Sequence, residues 1–298
     1  MKFLLIPIAT ILLSLNSCIS KTNRSTVQSI LQSKIETIIS AKKGTIGVSI
    51  IGPKTSDNVS INGEEMFPML STFKFPIALM VLHKVEVREL SMQQQVFIKK
   101  EELLQNTWSP FREKYPEGNI SISLEEGINW MVNYSDNNIT DILLRLIGGT
   151  DQVEKFLNNK IFIIKNNEDD MHKDWESQFI NKATPSAFTE LLKNFSEEKI
   201  LNKENTAWLY QAMVGSRTGV NRLKGKLPNV EIAQRAGTSF TNDEGITGAI
   251  NNVGIIELPN KHKIFIAVFI HNTSEEFEKA EEIIADIAKA TYDYYIEK

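Results

Sequence analysis

The sequence predicts an α/β chain of the α+β kind. An antiparallel five-stranded sheet is formed by both termini and flanked by helices, and an all-α domain is inserted into it. Two observations carry this expectation. Segments with strand patterning, bounded by turn residues, lie near the two ends, at about 45–62 and 230–270. Between them, from about 69 to 225, the apolar spacing is mostly helical. One sheet built from two distant pieces of chain, with helices between, satisfies both. The 298 residues, 42% hydrophobic and 23% charged, have ordinary globular values and are enough for a sizeable core. A formal net charge of −4 without a long basic run argues against a nucleic-acid partner.

The elements follow in order. Residues 1–17 read as a signal peptide, because Met1-Lys2 precedes an apolar run from Phe3 to Leu15 that is short for a membrane span. Cys18 is the single cysteine, so no internal disulfide forms. Its setting, Leu15-Asn16-Ser17-Cys18, is similar to a bacterial lipobox, in which the cysteine is lipidated; the other reading is an incidental cysteine lost with the leader. Either reading gives an exported, periplasmic protein, and the first adds a membrane anchor. Residues 18–25 read as a tether and 26–298 as one domain, with its α/β part at about 26–66 and 226–298 and its helical part at about 67–225. Val27, Ile30, Leu31, Ile35, Ile38 and Ile39 recur at helical spacing over about 25–41. Thr45 to Ile51 and Val59 to Asn62 read as paired strands around a turn at Gly52-Pro53. Phe75 to Val85 is apolar nearly all round, which predicts a buried central helix. Asn138 to Leu146, closed by Gly148-Gly149, is another helix, as are Pro185 to Phe195 and Glu204 to Val214. Val230 to Thr238, Gly248 to Leu258 and Lys263 to Ile270 are strands, the last two joined through Pro259-Asn260-Lys261. A helix from about Ser274 to Tyr295 ends the chain.

Four short pieces carry candidate chemistry: Ser71-Thr72-Phe73-Lys74, Ser135-Asp136-Asn137, Glu168 and Arg235-Ala236-Gly237-Thr238. Each alone is weak. Ser-x-x-Lys recurs at Ser40/Lys43 and Ser196/Lys199, and Ser-Asp-Asn recurs at Ser56-Asp57-Asn58 in a turn. Context separates them. Ser71 stands at the start of a buried helix, since Pro76 is tolerable only near a helix start. Free N–H groups there favour a developing oxyanion. Lys74 lies on the same face, and burial at a positive helix end should depress its pKa, so that it can act as a base. Ser135 sits in an interhelical turn, where it can relay a proton while Asn137 holds a carbonyl; helix capping is the competing explanation. Arg235 can hold a carboxylate, and Gly237 lets a substrate backbone approach. Glu168 falls in a long polar loop directly before Asp169 and Asp170, and the residues alone do not choose among the three. No His, Cys or carboxylate cluster has metal-ligand spacing, and no Gly-rich phosphate loop is present, so no cofactor is expected.

Together these pieces resemble the class A serine β-lactamases, particularly the extended-spectrum-like branch of Bacteroidetes-type bacteria, over essentially the whole mature chain. Ser71-Thr72-Phe73-Lys74 matches that family's S-x-x-K motif and Ser135-Asp136-Asn137 its S-D-N. Leu70 to Phe75, Tyr134 to Asn138 and Thr218 to Gly225 also look familial. The resemblance implies the β-lactamase/transpeptidase-like fold and a monomer acting on a small β-lactam without a cofactor. It implies Ser71, Lys74, Ser135 and Glu168 as catalytic residues. Asn137, Arg235, Gly237, Thr238, Ser239, Trp108 and His172 would be substrate-binding. The N–H groups of Ser71 and Thr238 would form the oxyanion hole, and Trp108 would stack at the cleft mouth. Two departures stand out. Ala236 replaces the hydroxyl residue of the usual K-T-G, with Arg235 for its lysine. His172 stands where an asparagine normally helps hold the hydrolytic water, as in one extended-spectrum subgroup. Two other functions share the serine and lysine: a D-Ala-D-Ala carboxypeptidase or transpeptidase, and a β-lactam sensor that stays acylated. Glu168 argues against both, because it supplies deacylation.

Overall fold

The computed structural model describes residues 30–54 and 58–297. The leader, the tether and Cys18 lie outside the described residues, as does Ser56-Asp57. Among the described residues, no helix is long and apolar enough to cross a membrane.

A helix, α1, covers residues 30–39. It leads into β1 (Thr45–Ile51) and β2 (Asn58–Ile61). The two-residue β3 (Phe67–Pro68) and a 3-10 turn (Leu70–Phe73) run straight into α2 (Lys74–Glu86). Next come β4 (Gln95–Ile98), α3 (Pro110–Lys114), β5 (Ile120–Ser123), α4 (Leu124–Asn133), α5 (Asn137–Ile147) and α6 (Thr150–Leu157). The long polar loop holds one helical turn, α7 (Glu168–Met171), and ends at β6 (Lys182–Ala183). Then follow α8 (Pro185–Ser196), α9 (Lys203–Val214), β7 (Ile232–Thr238), β8 (Thr247–Glu257), β9 (Lys263–Thr273) and α10 (Phe277–Ile296).

The sheet expectation holds. Five antiparallel strands run in the order β2-β1-β9-β8-β7, so the N-terminal hairpin pairs with the C-terminal strand. Both faces are covered. One apolar layer joins the sheet to α1 and α10 through Leu31, Ile35, Ile266, Ile284 and Ile287; a second joins the other face to the helical part through Phe67, Phe188, Ala267 and Phe269. This is why β8 reads as a continuous run rather than an alternating one: ten of its eleven residues are buried.

The helical part differs from expectation in detail. β4 and β5 pair within it, and β3 pairs with β6. The central helix α2 is as predicted, with Lys74 through Leu82 all buried. At about 1.5–3 kcal/mol per large apolar side chain, that burial fixes the helix firmly enough to hold a strained turn ahead of it. Leu70 and Ser135 both have positive φ, 46° and 58°. A non-glycine residue persists there only when its surroundings over-determine it, at a cost of about 1–3 kcal/mol. Gly148 closes α5 at φ 94° as read from the sequence.

Candidate active site

The 3-10 turn before α2 carries Ser71, and the first residue of α2 is Lys74. Lys74 is fully buried. Its Nζ donates to Ser71 Oγ at 2.9 Å, Asn137 Oδ1 at 2.6 Å, Ser135 Oγ at 3.2 Å and the Ser135 carbonyl at 3.1 Å. It also forms an ion pair of 2.5 Å with Glu168 Oε1. An ammonium has three protons, so these five oxygens share them. Burial lowers the Lys74 pKa, and the Arg235 charge pushes the same way; the Glu168 carboxylate opposes both without cancelling them.

The capping explanation of Ser135-Asp136-Asn137 is met by its middle residue. Asp136 is the cap: its Oδ1 accepts from the Ile139 N–H at 2.9 Å, and its Oδ2 accepts from the Phe111 N–H at 2.7 Å and Ser109 Oγ at 2.9 Å. Pinned on both sides, the turn aims Ser135 and Asn137 at Lys74. The Asn137 N–H donates to the Trp108 carbonyl at 3.0 Å, and Trp108 Nε1 donates to the Tyr134 carbonyl at 2.9 Å. The Trp108 ring itself is 55% exposed.

Position now separates the three carboxylates of the acidic loop. Glu168 is 4% exposed and faces Lys74, whereas Asp169 is exposed and Asp170 pairs with Lys173 outside. The loop is held by two residues the sequence did not single out. Asn181, fully buried, accepts the Lys165 and Asn166 N–H groups at 2.8 and 2.9 Å, and the Met69 N–H donates to its carbonyl at 2.8 Å. It thereby ties the acidic loop to the turn that carries Ser71. Asp141 accepts the Glu168 N–H at 2.7 Å and the Asp169 N–H at 2.9 Å, one on each carboxylate oxygen.

Burial, followed by the Glu168 charge, pushes the Asp141 carboxyl up to about 7 from 3.8. A raised acid holds its proton in the folded state when the unfolded chain has lost it. Its contribution to stability is therefore greatest below the unfolded value and is lost as pH rises through about 7. The limiting slope is about 1.4 kcal/mol per pH unit, and Asp141 keeps some solvent contact that screens part of it. In urea melts, the wild type should gain about 1 kcal/mol more than Asp141→Asn between pH 7 and pH 5. Equal gains would contradict the assignment.

Arg235 does not reach the cleft. It is fully buried, and its guanidinium contacts Ser135 Oγ at 3.0 Å, the Ser71 carbonyl at 3.2 Å and the Val132 carbonyl. Gly237 is needed for a different approach than expected. A Cβ there would lie 2.6 Å from the Met69 carbonyl and 3.2 Å from the Ser71 nitrogen, so it is the turn carrying Ser71 that packs against β7. Thr238 is exposed at the end of β7 and Ser239 follows, its Oγ taking the Ala249 N–H at 2.6 Å. Arg222, within the Thr218 to Gly225 phrase but given no role from sequence, lies beneath them. Its guanidinium donates to Thr238 Oγ1 at 2.7 Å, to the Gly237 and Asn251 carbonyls at 2.9 Å each, and to Glu281 Oε1 at 3.0 Å. Among the described residues no group of His, Cys, Asp or Glu is placed to hold a metal ion.

A serine hydroxyl touching a buried lysine of lowered pKa, with a buried carboxylate on the lysine's other side, defines a serine acyl-transfer enzyme equipped for hydrolysis. Residues 30–295 match the model of the β-lactamase enzyme family. The chain is 44% identical to β-lactamase VEB-1 of Pseudomonas aeruginosa, over 98% of both chains. It is 34% identical to the extended-spectrum β-lactamase PER-1 of Pseudomonas aeruginosa, over 90% of this chain and 88% of that one. The crystal structure of the TLA-1 extended-spectrum β-lactamase superposes with a TM-score of 0.88 at 42% identity, covering 90% of this chain and 99% of that one. This chain belongs to the β-lactamase family, class A, and its activity is hydrolysis of β-lactams, the chemistry of antibiotic resistance.

Proposed function

We propose that Ser71 is the nucleophile of a two-step hydrolysis in which Lys74 and Glu168 divide the proton work. The supporting observation is Lys74 Nζ, 2.9 Å from Ser71 Oγ and 2.5 Å from Glu168 Oε1, on a fully buried side chain. In the first step Ser71 Oγ attacks the lactam carbonyl carbon, and its proton passes to neutral Lys74 or, through a water, to Glu168. The ring C–N bond then breaks, and the nitrogen takes a proton from Ser135, whose hydroxyl is replenished from Lys74. In the second step Glu168 removes a proton from water as it attacks the acyl carbonyl, and Ser71 leaves with a proton returned through Lys74. The N–H groups of Ser71 and Thr238 hold the carbonyl oxygen in both steps.

Asn137 orients the substrate side-chain amide. Thr238 and Ser239 bind the substrate along the exposed end of β7. Arg235 acts through Ser135, its buried charge keeping that hydroxyl a good donor, while Arg222 fixes the Thr238 oxygen so that its proton is free for the substrate carboxylate. Thr238 thereby offsets the hydroxyl missing at Ala236. Penicillins and cephalosporins are the substrates, and the names of the PER-1 and TLA-1 relatives support an extended range. Mixing the protein with a chromogenic cephalosporin tests the reading. Many turnovers per enzyme are expected, and none from Ser71→Ala; colour equal to one enzyme equivalent, followed by arrest, would point to the sensor instead.

A further inference from the structure

The acidic loop meets the sheet where a ring lies on a glycine. Phe179 ends the 3-10 turn Ser177–Phe179, after α7, and is buried. Gly248, near the start of β8, is buried as well. A Cβ on Gly248 would lie 2.4 Å from Phe179 Cζ and 2.6 Å from its Cε1, well inside the about 3.5 Å at which carbon atoms pack. Gly248 does not have a positive φ, so the backbone does not call for glycine there. The ring does. Nor is the ring free to slide away. Trp175 packs on it with centroids 5.2 Å apart at 86°, His271 at 5.4 Å and 69°, and Leu70 and Ala249 complete the cluster. His271 is itself held, its Nδ1 lying 2.6 Å from the Gly248 carbonyl oxygen.

The ring is tied to Glu168 through the loop. Asn166 Nδ2 donates to the Ser177 carbonyl at 2.9 Å, and Asn181, two residues past Phe179, takes the Lys165 and Asn166 N–H groups. A shift at Phe179 therefore reaches the residues just before Glu168. Glu168 and His172 move together, because His172 Nδ1 lies 2.6 Å from the Glu168 carbonyl oxygen, while its Nε2 lies 3.3 Å from Thr107 Oγ1. The turn carrying Ser71 has further ties of its own. Arg235 donates to the Ser71 carbonyl, and Asn251 Nδ2 donates to the Pro68 and Met69 carbonyls at 2.7 and 3.2 Å.

We propose that Phe179 is a positioning residue for the second step, a strut that seats the acidic loop on β8, and that residue 248 is bare because the ring needs its place. The inference rests on the reading that Glu168 empties the acyl-enzyme. A side chain at 248 lifts the strut and with it the base, whereas the Ser71 turn stays on its own supports. The two steps should therefore respond unequally.

The test follows the rise and decay of acyl-enzyme mass in quenched samples after mixing with a cephalosporin. Gly248→Ala should slow the decay about ten- to a hundredfold, as expected for a misplaced catalytic group, and change the rise by less than about threefold. Gly248→Ala with Phe179→Leu, which returns the room, should recover most of the lost decay rate. Phe179→Ala removes the strut without a clash, so it also slows the decay preferentially, and it serves if Gly248→Ala does not fold. A wild-type decay in Gly248→Ala overturns the proposal, as do equal losses in both steps or a double variant no faster than the single one. Failure of the base reading is distinct, since it would appear as undiminished turnover by Glu168→Gln.

Discussion

Glu168→Gln should convert this enzyme from one that turns over into one that stops after a single equivalent. Glutamine has the same shape and can still accept a hydrogen bond, but it cannot take a proton from the attacking water. Loss of a positioned general base costs typically 10²–10⁴-fold, so kcat should fall by about that factor. Acylation should survive, for a reason visible in the charges around Lys74. The Glu168 carboxylate is the largest influence raising the Lys74 pKa. Without it, burial and Arg235 depress Lys74 further, and a larger fraction of the lysine is neutral and able to accept the Ser71 proton. A chromogenic cephalosporin should therefore give a burst of one per enzyme followed by a slow phase. Asp169→Asn and Asp170→Asn should turn over normally, since neither side chain faces the site. A burst from either of them, with continued turnover by Glu168→Gln, would move the base to that residue.

Glu281→Ala should be among the most destabilising single changes outside the core. Arg222 is 2% exposed and, among the described residues, its charge has one carboxylate partner, Glu281, at 3.0 Å. Burial lowers the Arg222 pKa, and Glu281 is what offsets that desolvation. Breaking a buried pair by removing one partner costs about 3–5 kcal/mol, because the remaining charge stays buried and uncompensated. The three oxygens that Arg222 retains put the expected loss near the lower end, about 3 kcal/mol, or a Tm lower by about 6 °C. Glu281→Gln, which keeps an acceptor, should lose less. The change should also be felt in the site, with a raised KM, because Arg222 orients the Thr238 hydroxyl. A Glu281→Ala protein with wild-type Tm and KM would show that the pair neither stabilises the fold nor positions the strand.

The parts of this molecule that were legible in the sequence are those whose physics is local. The strands at both ends, the buried central helix α2, the Gly148 stop and the C-terminal helix each declare themselves by periodicity or by one residue type. The β4–β5 pairing did not, because its strands are four residues long and lie more than twenty residues apart. Ser71 and Lys74 stood out from the other Ser-x-x-Lys copies only through their place at the start of a buried helix, which the structure shows, and Ser135 through the resemblance. The choice of Glu168 over Asp169 was not readable from the residues, since it is made at a distance. Asp141 holds the Glu168 N–H from 27 residues away, and Asn181 holds the Asn166 N–H from 15. Arg222 looks like a solvated turn residue until Glu281, 59 positions on, takes it out of water. Arg235 was legible as a charge but not as a buried one, because its depth follows from how β7 packs against the Ser71 turn. The Cα geometry that permits this packing is carried by Gly237, whose sequence signal is the same for a close ligand or a close neighbour.

The central claim is that Ser71 is acylated and that Glu168 empties it. It is tested most directly by intact-mass measurement after mixing with a cephalosporin, with peptide mapping of the adduct. The wild type should return to its free mass within the first scans, while Glu168→Gln should retain one acyl group on the peptide that contains Ser71. An adduct on another residue, or one that clears equally fast from both proteins, would contradict the account.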